Sequence, residues 1–284
     1  MTKIFPLIFI VLWSSAFITT KPIVDHSEPF SALAFRFFFV SLGFLIFSIY
    51  KNFSLVISKS NLIQSLVSGV LFHGIYLGGV FYSVSVGMPT GIAALIVTLQ
   101  PILTNILAGP ILKENVSYHQ WIGILLGFLG AVLVLGFDIG KNIPFDGVIA
   151  TIISLVSITS ATIWQKKISN NLPLETSNTY QAIGGCLFHI LIIVFITKFH
   201  INFSFTFIAA MSHQVLLVSF GAFTILMFLI RENSASKTTS FFFLIPSVSA
   251  LMAWLFLNEN LYFIDIIGFL IASIGVYIAT RPGK

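Results

Sequence analysis

Two short stretches, LKEN at residues 112–115 and LNEN at residues 257–260, occupy equivalent places in a repeated pattern 145 residues apart. Each is followed by an apolar run with glycines at matching positions. Aligned without gaps, residues 96–135 and 241–280 are identical at 10 of 40 positions. The matches that are not simply apolar are Pro101, Glu114, Asn115, Gly123 and Gly130, which align with Pro246, Glu259, Asn260, Gly268 and Gly275. The chain therefore contains an internal repeat.

The composition is that of a membrane protein. Of the 284 residues, 57% are hydrophobic and 8% are charged, and the mean hydropathy is +1.03, whereas soluble domains carry about 25% charged residues. The apolar runs are about 17–22 residues long, which suits membrane-spanning helices and not barrel strands. The single cysteine, Cys186, excludes an intrachain disulfide framework.

Ten spans are predicted, so the fold class is an all-α integral membrane protein. The predicted spans are 4–20, 31–50, 62–83, 91–111, 118–137, 146–165, 178–197, 212–230, 238–257 and 262–280. The 145-residue offset also aligns Ser15 and Lys21 with Ser160 and Lys166, so the first span belongs to the repeat. We therefore prefer a retained span over a cleaved signal peptide.

Each repeat contains five spans, an odd number, so the second copy enters the membrane inverted. The predicted halves are residues 1–140 and 146–284. Inverted repeats packed around a central cavity are typical of alternating-access carriers. The stripe of Gly123, Gly127 and Gly130 predicts close helix packing inside the chain, with a dimer contact as the alternative. A monomer and a homodimer both remain open.

Basic residues predict the orientation. With a cytoplasmic N-terminus, ten basic residues fall on the cytoplasmic side, three on the other side, and Arg36 within a span. This bias predicts that both termini are cytoplasmic. The expected location is the plasma membrane, the inner membrane of a bacterium. The bias also accounts for the sequence pI near 9.4 without nucleic acid as a partner. The expected partners are the lipid bilayer and a small solute.

The N-terminal sequence resembles a known family. LWSSAFITTKPIVDHSEPFSALAFRFF, residues 12–38, is similar to the first two spans of EamA-type carriers of the drug/metabolite transporter superfamily. Residues 94–135 resemble their fourth and fifth spans. The residues that carry the first resemblance are Trp13, Ser14, Lys21, Pro29, Arg36 and Phe37. The resemblance implies a cavity lined mainly by spans 1, 3, 4, 6, 8 and 9, and solutes such as amino acids or nucleotide-related metabolites.

All nine carboxylates are expected in loops or at span ends. A carboxylate inside the membrane is the usual proton relay and cation trap, and the small multidrug-resistance branch of the superfamily relies on one. Its absence disfavours a proton-coupled exporter of cationic drugs. Glu114 and Glu259 are expected to cap helices, with gating as the alternative. No metal-ligand cluster, cofactor motif or catalytic cluster is found, so no metal, no cofactor and no enzyme activity are expected.

The candidate site consists of polar and aromatic residues within the spans. Arg36 either reaches the membrane surface or anchors a solute carboxylate. Lys21 and Lys166 end equivalent spans, as gates at the cavity mouths or as ordinary interfacial lysines. Pro101 and Pro246 are expected to break their helices. The proposed cavity residues are Trp13, Ser14, Ser15, Arg36, His73, Tyr76, Gln100, Asn105, Trp164 and Phe241.

The leading hypothesis is an alternating-access carrier of a small zwitterionic or amphipathic metabolite, especially an amino acid. Alternatives are a carrier of a nucleoside-bearing solute such as S-adenosylmethionine, whose cation aromatic faces would hold, and an exporter of cationic drugs or metabolites. A membrane receptor or scaffold is the alternative outside transport. The sequence does not decide the direction of transport or the coupling ion.

Overall fold

The computed structural model describes residues 4–135, 143–257 and 261–281 and consists almost entirely of helices. Nine helices in these residues are long and apolar enough to span a membrane, and the protein is an integral membrane protein. They are α1 (Phe5–Val24), α2 (Pro29–Tyr50), α3 (Lys59–Ser85), α4 (Thr90–Leu112), α5 (Tyr118–Leu135), α6 (Phe145–Ile168), α7 (Leu174–Phe195), α8 (Phe205–Glu232) and α10 (Phe263–Thr280). The remaining helical stretch is α9, residues 235–257.

The α9 stretch is built from three consecutive segments. An α-helix, Ala235–Ser240, passes into a 3₁₀ turn, Phe241–Leu244, and then into a second α-helix, Ile245–Leu257. Pro246 stands at the start of the second helix, where its missing N–H costs least. The face at which α1 begins is called the N-terminal face below, and the other is called the opposite face.

Several helices extend beyond the predicted spans because polar residues begin or end them. The largest difference is in α8, which starts at Phe205 and not at 212, since the Ser204 side chain accepts a hydrogen bond from the Phe207 N–H and caps the helix. α1 continues through Pro22 to Val24, so Lys21 lies in its last turn. The apolar core predicted for each of these spans is present.

Three helices depart from regular α geometry within the membrane. α4 is interrupted by a turn at Thr98–Leu99, and the second part begins at Gln100 with Pro101 in its first turn. α3 contains a π-helical segment, Val70–Tyr76, and α8 contains another, Gln214–Ala222. Adding 145 to the first π segment gives residues 215–221, which lie within the second. Such segments often mark functional sites.

Helices α5 and α10 pack backbone to backbone through glycines. A Cβ added to Gly123 would lie 2.6 Å from the carbonyl oxygen of Gly275, and one added to Gly130 would lie 2.5 Å from that of Gly268. The earlier glycine of α5 contacts the later glycine of α10, and the later one contacts the earlier one, so the two helices run antiparallel. The small-residue stripe is therefore covered within the chain, as internal packing predicted.

The described carboxylates lie at helix ends or in the short connections between helices, as the sequence predicted. Glu28 is the N-cap of α2, and its side chain accepts hydrogen bonds from the N–H and hydroxyl of Ser31. Asp146 and Glu175 lie in the first turns of α6 and α7. Glu259, the equivalent of Glu114, lies outside the described residues.

Candidate functional site

A narrow cavity lies among α1, α2, α3 and α8, in the half of the bundle nearer the opposite face. The space that the centres of water molecules can occupy in it is about 40 Å³, which is room for about three waters. We call it the Arg36 cavity. Its lining consists of Trp13, Ala16, Phe17, Thr20, Arg36, Phe72, His73, Tyr76, Leu77, Val80, Phe81, Gln214, Val218, Ser219 and Phe223. Spans 4, 6 and 9, which the resemblance also implied, do not line it.

Arg36 is the one charged side chain of this lining, and it is 3% exposed. Its Nε donates a hydrogen bond to the Oγ of Ser219 at 2.9 Å, and its guanidinium carbon lies 5.4 Å from the centre of the Phe37 ring. Within the described residues the only ion pair is Lys21–Asp25. The cavity therefore contains a buried cation with no carboxylate from the described chain to balance it, which is costly unless a ligand supplies one.

Aromatic rings hold the cavity walls in place. The Trp13 ring packs against Phe9 at 5.3 Å and Phe242 at 5.5 Å between centroids. The His73 ring lies between Phe37, at 4.4 Å, and Phe223, at 4.2 Å. The wall is thus apolar and rigid, with Arg36, Ser219 and a few neutral polar groups on it.

The π-helical segments explain how α3 and α8 present these residues. An added residue per turn widens the helix and shifts the angular position of the side chains that follow. Phe72, His73 and Tyr76 come from the first segment, and Val218 and Ser219 from the second. Both segments contribute to one wall of the same cavity.

A profile of the EamA-like transporter family matches residues 2–136 and again residues 146–281. The chain belongs to this family. The two matches cover nearly all of the chain and fall on its two halves. This EamA protein is therefore a membrane transporter, and a small solute is its expected cargo.

Similar proteins carry transporter names. The uncharacterized transporter YvbV of Bacillus subtilis is 23% identical over 97% of this chain and 90% of its own. The S-adenosylmethionine uptake transporter of Rickettsia prowazekii is 25% identical over 85% of this chain and 79% of its own. The probable amino-acid metabolite efflux pump of Salmonella typhimurium is 24% identical over 59% of this chain and 54% of its own.

A solved structure, titled only as the crystal structure of a protein, has the same fold. Its TM-score is 0.83, with 98% of this chain and 96% of that chain covered. The sequence identity is 16%, so the likeness concerns the fold alone.

Four of the ten sequence-predicted cavity residues of this EamA chain meet on the Arg36 cavity: Trp13, Arg36, His73 and Tyr76. Ser14 instead donates to the carbonyl of Ile245 at 3.2 Å and joins α1 to α9. The Ser15 hydroxyl lies 3.0 Å from Nε2 of His213. Trp164 donates to the carbonyl of Gln64 at 3.2 Å on a partly exposed surface.

Phe241 is also placed elsewhere. It lines a separate cleft of about 360 Å³ at the N-terminal face, which also contains Glu232 and Lys237. The sequence prediction grouped Phe241 with the cavity because it precedes Pro246. Phe241 begins the 3₁₀ turn Phe241–Leu244, which precedes the helix that contains Pro246, and its side chain lies in a different part of the bundle.

Gln100 and Asn105 are each buried in separate hydrogen bonds and do not line the cavity. The Nε2 of Gln100 donates to Oγ1 of Thr162 at 3.0 Å, and Gln100 is fully buried. Asn105 binds the Pro101 carbonyl through Nδ2 and accepts a hydrogen bond from the Ser236 hydroxyl through Oδ1. The cause is the turn at Thr98–Leu99, which resets the rotation of the second part of α4.

The two predicted mouth lysines have different surroundings. Lys21 pairs with Asp25 one turn later, and both side chains are exposed. The Nζ of Lys166 donates to the carbonyls of Ile230, Arg231 and Asn233, at 3.0, 3.1 and 2.6 Å. Lys166 thus binds the C-terminal end of α8, where a cation is favourable.

Glu114 caps a helix, although a distant one. Its carboxylate accepts hydrogen bonds from the backbone N–H groups of Ala235, at 2.8 Å, and Ser236, at 3.3 Å. These are the first N–H groups of α9, which have no partner within the helix. Glu114 therefore connects the end of α4 to the start of α9.

Sequence reasoning missed Phe72, Gln214, Ser219 and Phe223, which complete the cavity. Ser219 and Gln214 are small or neutral residues in an apolar run, and nothing in their spacing singles them out. The available signal was Arg36 itself, because a buried guanidinium requires acceptors from a neighbouring helix. In the described residues, no group of three or more His, Cys, Asp or Glu is arranged to hold a metal ion.

Proposed function

We propose that this EamA transporter is an alternating-access carrier of a small solute with a carboxylate and an apolar body, most simply a bulky amino acid. The observation that carries the proposal is Arg36, buried on an aromatic cavity without a carboxylate partner in the described residues. A solute carboxylate would pair with the guanidinium through charge-assisted hydrogen bonds. The solute's apolar part would contact Trp13, Phe72 and Phe223.

The cavity must widen to admit such a solute. Its present volume, about 40 Å³ for water centres, suits a few water molecules, so the conformation corresponds to a contracted state. The walls belong to four separate helices, and α1 and α8 meet partly through Gln214, whose Nε2 donates to Thr19 Oγ1 at 2.9 Å. Separation of these helices would open the cavity toward the opposite face.

Alternating access also requires two halves that exchange roles, and we propose that residues 1–140 and 146–284 are inverted repeats. The support consists of the repeated sequence pattern, the two family matches and the antiparallel packing of the equivalent helices α5 and α10. The positive-inside distribution favours a cytoplasmic N-terminal face. On this reading the protein lies in the bacterial inner membrane with both termini cytoplasmic.

Arg36 also separates the alternatives. A buried guanidinium repels cationic drugs, because like charges interact strongly where water is excluded. S-adenosylmethionine remains a candidate although its sulfonium is cationic, since its carboxylate would pair with Arg36 and its adenine ring would contact the aromatic wall, and a relative is named as its uptake transporter. A receptor or scaffold would bind a solute without moving it across the membrane.

The experiment is uptake into proteoliposomes that contain the purified protein. Labelled phenylalanine, leucine, S-adenosylmethionine and the hydrophilic dication methyl viologen would be compared, with and without a proton gradient, against liposomes that lack the protein. We expect protein-dependent uptake of a carboxylate-bearing solute and none of methyl viologen. Protein-dependent uptake of methyl viologen alone would contradict the proposal, and binding of a carboxylate solute without uptake would support a receptor.

Variants of Arg36 connect the activity to the cavity. Arg36→Gln is expected to raise the KM of the transported carboxylate solute about 10- to 100-fold, because hydrogen bonds to charged groups contribute about 1.5–3 kcal/mol. Lys21→Gln is the matched control, since Lys21 is exposed and pairs with Asp25 away from the cavity. An equal effect of both variants would show that Arg36 does not bind the solute.

A further inference from the structure

We infer that Ser68, Gln165 and Gln181 form a second solute site, closed in this conformation, that opens at the N-terminal face when the carrier changes state. We call these three residues the amide cluster. The inference rests on the proposed inverted repeat, and it adds a site of neutral hydrogen-bonding chemistry to the cationic one at Arg36.

The amide cluster is fully enclosed. Ser68, Gln165 and Gln181 are at most 1% exposed. The Ser68 hydroxyl lies 2.9 Å from Oε1 of Gln165 and 3.1 Å from Oε1 of Gln181, and Gln181 Nε2 donates to Gln165 Oε1 at 3.3 Å. The residues come from α3, α6 and α7. Long polar side chains are seldom buried without a reason, and the Arg36 cavity has no part in this cluster.

The repeat relates two of the three residues of this cluster to the Arg36 cavity; the third, Ser68, is equivalent to His213, which is not in the cavity lining. Subtracting 145 from Gln165 and Gln181 gives Thr20 and Arg36. Thr20 and Arg36 both line the open cavity, whereas Gln165 and Gln181 are bonded to each other. Equivalent positions of the two halves therefore line a cavity near one face and are hydrogen-bonded to each other near the other face. This is the asymmetry that a carrier reverses when it changes state.

The contact between α3 and α7 shows how the amide cluster is closed. A Cβ added to Gly69 would lie 2.0 Å from the carbonyl oxygen of Gln181, so the two backbones touch. The residue equivalent to Gly69 is Gln214, which lines the Arg36 cavity. The glycine permits direct backbone contact in the closed half, while in the other half the longer glutamine side chain lies between α8 and α1 and lines the cavity.

A second set of equivalent positions differs in the same way. Gln100 binds Thr162, and their equivalents are Ile245 and Phe17. These two equivalents line another cavity, of about 280 Å³, among α1, α4, α5 and α9. Thus two independent pairs of positions are packed in the half near the N-terminal face, and their equivalents border cavities in the other half.

The depth of the amide cluster suits the end of a transport path. Gln181 lies seven residues after the first residue of α7, and Arg36 lies seven residues after the first residue of α2. At 1.5 Å per residue, each is about 10 Å inside its own face. Amides donate and accept hydrogen bonds but carry no charge. A carboxylate that leaves Arg36 would be held by Gln165 and Gln181 without an ion pair.

The test is cysteine labelling from the N-terminal face, in a Cys186→Ser background. Ser68→Cys and, as a second position, Gln181→Cys would be treated with a membrane-impermeant maleimide in inside-out vesicles. The exposed reference is Ser60→Cys, and the matched buried control is Ser48→Cys, which is fully buried near the same face, two residues before the end of α2. With a minor state populated at about 0.1–10%, labelling at Ser68 is expected at about that fraction of the reference rate.

The outcomes are distinct. Labelling of Ser68→Cys or Gln181→Cys above the Ser48→Cys rate, in variants that remain monodisperse after purification, supports the second site. Labelling of both positions at the Ser48→Cys rate overturns it. The measurement needs no solute, so it stands even if none of the tested amino acids is transported. Conversely, if the amide cluster never opens, the uptake experiment with Arg36→Gln still tests the proposed transport function by itself.

Discussion

The Nε of Arg36 and the Oγ of Ser219 are 2.9 Å apart and join α2 to α8 across the cavity wall. This bond aligns the guanidinium plane, and among the described residues no other hydrogen bond from this side chain is present. The remaining N–H groups of the fork are therefore available to a carboxylate, which prefers bidentate binding.

Removal of the Ser219 hydroxyl should loosen this alignment without removing the charge. Ser219→Ala is expected to raise the KM of the carboxylate solute roughly twofold to tenfold, because the charge of Arg36 is kept and only its alignment is lost, which we equate with a typical hydrogen bond of about 0.5–1.5 kcal/mol. Initial uptake rates in proteoliposomes measure it. Ser83→Ala is the control, since the Ser83 hydroxyl binds only the Val80 carbonyl of its own helix. An unchanged KM for Ser219→Ala would mean that Arg36 needs no alignment.

Lys166 and Lys21 occupy equivalent positions but should differ in their effect on stability. Lys166→Met removes the donor for three carbonyls at the end of α8 and is expected to cost about 1–3 kcal/mol. Lys21→Met removes an exposed ion pair, which contributes at most about 1 kcal/mol. Thermal unfolding in detergent measures both. A larger loss for Lys21→Met would contradict the structural role assigned to Lys166.

Glu114 should act as a cap and not as a proton carrier. Glu114→Ala is expected to lower the stability by about 0.5–2 kcal/mol, since the first N–H groups of α9 lose their acceptor. Glu114→Gln keeps an acceptor oxygen and should retain transport with the same response to a proton gradient. If Glu114→Gln folds normally but loses that response, the capping interpretation is wrong.

Gln100→Leu should leave the affinity of the Arg36 cavity for the solute unchanged. Thr162 keeps its own hydrogen bond to the Ile158 carbonyl at 2.9 Å, and Oε1 of Gln100, which is buried without a partner among the described residues, is removed. The stability is therefore expected to change by less than about 1 kcal/mol. Binding of labelled solute and thermal unfolding are the two measurements. A loss of affinity as large as that caused by Arg36→Gln would contradict this prediction and would indicate that Gln100 contacts the solute.

The apolar runs were sufficient to predict the helices, because a membrane requires each backbone polar group to be paired within a helix. The start of α8 was missed by seven residues. Residues 205–211 are mostly apolar, but Ser212 and His213 divide them from the rest of the apolar run, and only the Ser204 cap shows that the helix begins earlier. Sequence pattern therefore places the middle of a span better than its ends.

The candidate site was predicted only in part, because helix rotation is set by local irregularities. Trp13 and Arg36 lie on regular helices, and both were placed on the cavity. Gln100 follows the turn at Thr98–Leu99, which changes its direction, and Ser219 lies on a π-helical segment that the sequence does not signal. His73 was identified by its residue type, although its position between two rings depends on tertiary packing.

The glycine contacts between α5 and α10 also constrain how the chain is made. Gly123 contacts Gly275, and Gly130 contacts Gly268, so these two positions of α5 have no backbone neighbour until the final helix has been synthesised, although Phe243 of α9 already packs against Gly127 between them. At about 5–20 residues per second, the ribosome needs roughly 7–30 s to supply the intervening chain. During that interval lipid must occupy the groove on α5. We expect nascent chains that stop before Phe263 to keep this groove open and to be removed by membrane proteases.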